Sequence, residues 1–411
     1  MECETDGLGR YTATFVNDAF EAQTKDVVIP TTINHDWNLT TYTWSDDNST
    51  CTATRVCNND STHIQTETVE TSYEIITLAT EESEGLGRYT ATFVNDAFET
   101  QTKDVDIEKI YNGRHPVFSE DGTTVMYGLY PQTNVNDPSL ISNLDSITEP
   151  ESNGWYLYNN EYYAKINAKL YYAANGYKFD NGTTIVKEET YWFKCEPIKW
   201  KIIDVNNGFY TLLSTILLDA HCYYSRTSSR TLGGKTVEPN NYKYSDIRAW
   251  LNGYDGSQYN VPNYTGKGFI NTAFSLNDTY ICSKTVNNDS SWTNSARENK
   301  SNPYACENTN DYIYLFSFVE YSSQGNGFAY ETSASDTRTC RTTDWARANG
   351  ACYTTSGDNQ YNGYYWTRSP QYKYAGGAST VSPTGVLGTG NSRVDYTYTC
   401  VRPAVTIRVT Q

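Results

Sequence analysis

The stretch DGLGRYTATFVNDAFEAQTKDVVI, residues 6–29, returns almost unchanged as EGLGRYTATFVNDAFETQTKDVDI at residues 84–107. Three positions differ: Asp6/Glu84, Ala22/Thr100 and Val28/Asp106. The offset of 78 residues is that of a small module, not of a solenoid rung. Within a copy, Tyr11, Ala13 and Phe15 alternate with Thr12 and Thr14, the pattern of a strand with one apolar face. Asn17-Asp18 supplies a turn, and Phe20 to Val27 returns as the second strand of a hairpin. Ahead of the second copy, Tyr42–Trp44, Cys51–Cys57 and His63–Val69 are further strand candidates. About six short strands in roughly 70 residues predict a mainly β module, a small Ig-like β-sandwich, over residues 31–110. Residues 1–30 are then a partial copy holding its last two strands.

Composition narrows the remainder. The 411 residues suit two or three domains. Only 38% are hydrophobic, yet there are 37 Tyr and 9 Trp. Tyrosine buries its ring and keeps a polar tip, so it builds both cores and adhesive surfaces. Charged residues make up only 19%, which excludes a disordered polyampholyte. A net charge of -17 without a Lys/Arg cluster argues against nucleic acid and against anionic lipid. No run of about 18 apolar residues exists, so no membrane insertion is expected. The start MECETDG lacks the basic and apolar regions of a signal peptide. The chain also enters the first repeat already in progress. The expectation is a piece of a longer, exported, cell-surface protein whose signal and anchor lie elsewhere.

The ten cysteines fit an exported chain with some disulfides. Cys51/Cys57, Cys282/Cys306 and Cys340/Cys352 are the local pairs that spacing suggests, with buried free thiols as the alternative. Cys51-x5-Cys57-x5-His63 also has the look of a metal site. Zinc needs four ligands and this spacing offers three, so neither a metal nor a cofactor is expected.

Residues 111–411 read differently. Pro138–Leu144 predicts a short helix capped by Asp137. GWYLYNNEYYAK, residues 154–165, is aromatic at alternate positions and strand-like. YWFKCEPIKWKIIDVNNGFYTLLS, residues 191–214, predicts a hairpin about Asn206-Asn207-Gly208. SDIRAWLN, residues 245–252, is an amphipathic helix with a Ser cap, its Ile247, Trp250 and Leu251 on one face. Phe269–Phe274 suggests a further helical turn, and Tyr312–Phe318 an apolar strand. Thr343–Asn349 reads as a capped helix ending at Gly350. YYWTRSP (364–370) and CVRPAVTIRV (400–409) are closing strands.

Two resemblances follow from these motifs. His35-Asp36-Trp37, TYTWSDDNSTCTATRVCNNDSTH and GLGRYTATFVNDAFETQTKDVDI together resemble a repeat common in large surface proteins of gut Firmicutes. Many copies of that repeat carry a Cys ahead of the Gly-x-x-x-Tyr strand, a position Cys3 matches in the first copy and Glu81 or Glu82 takes in the second, where the resemblance would place a fourth zinc ligand. GLYPQT, WFKCEPIKWKIIDV, TLLSTILLD, SDIRAWLN, YIYLFS, YYWTRSP and CVRPAV, in that order, resemble an uncharacterised domain found at the end of many bacterial surface proteins. Its late motifs are similar to C-type-lectin-like domains, including the formylglycine-generating-enzyme branch. This resemblance implies an α+β C-type-lectin-like domain over 111–411. Thr367, Cys400 and Cys195 depart from that pattern, and the departures hint at a local disulfide.

The motifs of catalysis are weak. Glu238-Pro239-Asn240 spells a sugar-binding tripeptide but stands in the wrong place, and Pro-Asn turn chemistry explains it. His221 and Cys222 are adjacent on a strand pattern and so point to opposite faces, a poor nucleophilic dyad. Trp200, Trp250, Trp366, Arg368 and Arg402 read as framework. Between the last two arginines lies a loop rich in Tyr, Gly, Ser, Thr and Asn, the composition of antibody paratopes. Its Tyr372, Tyr374, Asn391, Arg393, Asp395, Tyr396 and Tyr398 are the candidate ligand contacts. The expectation is a non-catalytic surface protein that binds a glycan or a host or bacterial surface protein. A structural wall component and a glycan-active or oxidising enzyme are the rival readings.

Overall fold

The computed structural model describes residues 6–30, 35–80, 83–109, 113–151, 153–171, 176–274, 278–288, 302–372, 374–388 and 392–409. Cys3, Glu81, Glu82 and Asn391 lie outside them. The chain is mainly β and divides into two compact units, Met1–Ile110 and Tyr111–Gln411.

Unit 1 begins with a two-stranded hairpin, β1 (Gly7–Ala13) and β2 (Gln23–Ile29). Two three-stranded antiparallel sheets follow. The first is β3 (Thr41–Trp44), β4 (Thr50–Val56) and β5 (Ile64–Glu70); the second is β6 (Ser72–Thr77), β7 (Gly85–Ala91) and β8 (Gln101–Ile107). The two sheets are tied together. The Glu67 carboxylate accepts from the Val94 and Asn95 amides at 2.8 and 3.0 Å, and Tyr42 Oη accepts from Glu99 N at 2.8 Å. The Tyr42 and Phe93 rings meet at 5.7 Å. The core between them is small, built on Cys51, Ala53, Ala91 and Phe98.

Unit 2 is organised by one long strand. β9 (Val117–Phe118) and β10 (Thr124–Asn134) lead to a short helix, α1 (Pro138–Asp145). The Asp137 side chain caps that helix by accepting from Ser139 N at 2.8 Å. β11 (Tyr156–Tyr158) and β12 (Glu161–Asn167) form a hairpin around Asn159-Asn160, both left-handed, as a two-residue turn of this hand requires. β13 (Thr190–Asn206) then pairs with β10, β12 and β14 (Phe209–Ser214), turning into β14 through Asn207-Gly208. Asn207 and Gly208 have φ of 50° and 78°, so the expected Asn-Gly turn forms.

The rest of unit 2 comprises β15 (Asp219–Ala220), β16 (Arg230–Leu232), β17 (Lys235–Val237), α2 (Asp246–Asn252), α3 (Phe269–Ala273), β18 (Lys284–Val286), β19 (Thr309–Asp311) and β20 (Ile313–Leu315). It closes with α4 (Asp344–Ala348), β21 (Tyr365–Pro370), β22 (Ala378–Val381), β23 (Cys400–Val401) and β24 (Pro403–Arg408). β24 inserts between β14 and β20, which completes an eight-stranded sheet. β15, β23, β21 and β22 form a second sheet of four strands. In it Tyr365 pairs with Cys400 in parallel, a contact that only a long connection permits. α2 has the expected Ser245 cap, whose Oγ accepts from Arg248 N at 3.2 Å, and its Ile247, Trp250 and Leu251 are buried.

Among the described residues no disulfide forms, and all three expected pairs are corrected. Cys51 lies in β4 and Cys57 just beyond its end. Six residues of extended chain separate them by about 20 Å, far beyond what a disulfide spans. Cys282 is held against β24 through Thr406, whereas Cys306 lies beside Tyr242 and Lys243. Cys340 donates to Thr215 O, and Cys352 bonds through its amide to Tyr398 O. Both have the thiol of Cys400 as a neighbour. Burial, and then those two thiols, hold Cys400 well above the usual thiol range, so it stays protonated.

Candidate functional site

A cleft of about 430 Å³ opens in unit 2. Six separate segments build it: Lys169–Tyr171 after β12, Ala220–Ser225 after β15, Asp246 at the start of α2, Pro262–Tyr264, Asn349-Gly350 after α4, and Thr397-Tyr398 before β23.

The floor is held by buried polar bonds. Trp366 is fully buried, and its indole Nε1 donates to the His221 carbonyl at 2.8 Å. Asp219 is used up by the framework. It accepts from Tyr130 Oη at 2.5 Å, Trp345 Nε1 at 3.1 Å, Asn349 Nδ2 at 2.5 Å and Ala220 N at 2.7 Å. Asn349, the residue that ends α4, is thereby fixed at the rim. Gly350 follows with φ 98°, in close approach to Lys169 O.

The walls are aromatic. The His221 ring stacks on Trp250 with centroids 4.8 Å apart, and its Nε2 lies 3.3 Å from Tyr264 Oη. Tyr171 meets Tyr398 at 3.8 Å, and Tyr398 stacks on Tyr396 at 4.6 Å. Burial keeps the His221 imidazole below its ordinary range, hence neutral at pH 7.

Asp246 and Cys222 stand together in the lining, beside the polar Lys169, Ser225, Asn349 and Thr397. Asp246 Oδ2 accepts from Ser225 N at 2.7 Å, while its Oδ1 is buried with no hydrogen-bond partner among the described residues. A carboxylate oxygen in that state is a strong acceptor for an incoming donor. Cys222 Sγ lies 4.0 Å from both His221 Nδ1 and Asp246 Oδ2. Burial, and then the Asp246 charge, push the thiol up to about 12, so it is a poor nucleophile at neutral pH.

The candidate contacts scatter around this cleft. Tyr398 lines it and Tyr396 backs Tyr398. Arg393 and Asp395 form a 2.6 Å ion pair at the edge, and the Asp395 charge reaches Cys222. Tyr374 is exposed, and its carbonyl accepts from Asn240 Nδ2 at 3.2 Å and Gly377 N at 3.1 Å, away from the lining. Tyr372 is half-buried and also outside it. The framework residues lie inside. Trp200 donates to Tyr127 O at 2.7 Å, Arg402 Nε to Ser214 O at 2.9 Å, and Arg368 to Leu315 O at 2.7 Å and to the Glu320 carboxylate.

Sequence reasoning missed Tyr171, Tyr264, Asp246 and Asn349. Asp246 reads as an ordinary first-turn acid of α2, and Tyr171 and Tyr264 are two among many tyrosines. The expectation that His221 and Cys222 point to opposite faces is corrected: they lie beyond the end of β15, outside any strand, so both line the cleft with Sγ 4.0 Å from Nδ1.

Residues 207–409 match a family described as a domain of unknown function, DUF6273. Comparison with curated proteins and with solved structures gave no match. The DUF6273 segment runs from the Asn207-Gly208 turn through β24 and includes five of the six cleft segments. Lys169–Tyr171 comes from outside it, as do β10, β12 and the whole of β13, which share its eight-stranded sheet.

Proposed function

We propose that the cleft binds a neutral glycan without transforming it. The observation that carries this reading is the presence of stacked tyrosine rings and the Asp246 carboxylate in one cleft. Sugar C–H faces lie on aromatic rings, and a sugar hydroxyl donates to a carboxylate oxygen. The volume is within the range of small-ligand sites. Acidic charge across the chain disfavours anionic ligands. The same residues disfavour catalysis. Glycoside hydrolysis uses two carboxylates, and Asp246 is the one carboxylate among the described lining residues. Cys222 is held as a thiol. A C-type-lectin-like arrangement of unit 2, presented at a bacterial cell surface by the Ig-like β repeats of unit 1, fits this role.

A glycan array probed with the full chain tests it. A saturable hit that Tyr398→Ala and Asp246→Asn each weaken tenfold or more, with melting unchanged, supports the reading. A blank array with folded protein, or a hit that neither change affects, overturns it.

A further inference from the structure

Unit 1 carries a second cluster, independent of the cleft. One ligand atom each from His35, Cys57 and His63 all lie within 4.8 Å of one another. We infer that these three side chains form a binding site for a divalent transition metal of the zinc type.

The backbone builds this cluster deliberately. β4 ends at Val56 and delivers Cys57, which is almost fully buried. Trp37 bridges Cys57 as an antiparallel pair, with Asn38 N donating to Val56 O at 2.9 Å and Asn58 N to Asp36 O at 2.6 Å. These bonds place His35 beside the end of β4. On the other side, Cys57 N donates to His63 O at 3.0 Å, which closes the loop between β4 and β5 and sets His63 opposite. The His35 ring is stacked on Trp37 at 4.8 Å and meets His63 edge-on at 5.0 Å. Three chain segments thus converge on one point.

The chemistry fits. A thiolate with two imidazoles is a donor set that zinc and its neighbours prefer. Ligand atoms around a tetrahedral ion stand about 3.5 Å apart. Asp60 supplies the outer support. Its Oδ2 lies 3.7 Å from His63 Nε2, and its Oδ1 is held by Thr62 N and Oγ1 at 2.8 and 2.7 Å. A carboxylate behind an imidazole is the usual surround of a metal-bound histidine. A water molecule or another exchangeable ligand completes four-coordination. The sequence reading grouped Cys57 and His63 with Cys51, and it lacked His35, which stands far ahead in the chain. The proposal departs from the expectation of no metal on that ground.

The test is titration of the full, chelator-treated chain with Co2+, followed by visible absorption. One equivalent is expected to produce ligand-field bands and a thiolate-to-cobalt charge-transfer band, both displaced by Zn2+. Cys57→Ser removes the charge-transfer band, His35→Gln and His63→Gln weaken binding, and Asp60→Asn weakens it about 10–100-fold. Cys51→Ser changes nothing. Because Cys57→Ser removes a buried side chain, a second readout uses the unaltered chain: Zn2+ protects the Cys57 thiol from alkylation, read by peptide mass mapping. Absence of the charge-transfer band in the unaltered chain, an undiminished band in Cys57→Ser, or alkylation of Cys57 that ignores Zn2+ overturns the site.

Discussion

The indole of Trp366 donates to the backbone carbonyl of His221 at 2.8 Å, so a core residue of β21 fixes the loop that carries the cleft's imidazole and thiol. Fold and site are coupled at this bond. Trp366→Ala is expected to cost about 3–5 kcal/mol by opening a cavity in the core. Trp366→Phe keeps much of the packing but strands the His221 carbonyl, at about 1–3 kcal/mol. Urea midpoints of the two variants check both figures. A loss of ligand binding without a change in midpoint contradicts the coupling.

Cys222 sets a pH dependence. Its thiol lies at about 12 in the folded chain against an ordinary 9.0. A raised folded value means that the protonated form is favoured by folding. The stabilisation is therefore complete below the ordinary value and is lost as pH rises from about 9 towards 12. Mass-mapped alkylation at pH 8 is expected to leave Cys222 far slower than an unperturbed thiol. Fast labelling of the native chain refutes the shift.

Arg368 is a buried staple rather than a surface charge. It bonds Leu315 O, Asn287 O and the Glu320 carboxylate, with 3% of its side chain exposed. Lysine carries the charge but not the planar fork. Arg368→Lys is expected to lose about 2–4 kcal/mol, since two carbonyls lose their donors. A thermal melt of the variant measures this.

Gly350 is required by space as well as by torsion. A Cβ there meets Lys169 O at 2.5 Å, and φ is 98°. Gly350→Ala is expected to destabilise by about 2 kcal/mol or more and to move the Lys169 wall of the cleft. A native-like melt would show that the Lys169 segment yields freely.

Local chemistry was legible in advance wherever a cap or a turn was spelled out. Asp137, Ser245 and Thr343 cap their helices through side chains that accept from the following amides. Asn207-Gly208 turns the hairpin that its left-handed torsions demand. The cleft was not legible, because Tyr171, His221, Asp246, Tyr264 and Asn349 are brought together from distant segments. Nor were the buried staples. Arg338 is fully buried and donates to the carbonyls of Gly385, Ala329, Glu331 and Ser333 at 2.7–2.8 Å, bonds that no spacing rule foretells.

The repeat separates the two kinds of information. Its two copies fold into hairpins of the same register, Gly7 opposite Ile29 and Gly85 opposite Ile107. Both carry the same cross-strand pair, Arg10 with Asp26 and Arg88 with Asp104. Alternation and turn chemistry act within a few residues, so the sequence by itself determined the hairpin, though its second strand begins at Gln23 and Gln101 and not at the expected Phe20. Burial is another matter. Phe20 is 61% exposed, whereas its counterpart Phe98 is 6% exposed. Phe98 lies under the Arg55 guanidinium and against Phe93. The same residue in the same hairpin becomes core or surface according to what packs on it. That depends on surface removed from water by segments far away in the chain, which only the tertiary structure decides.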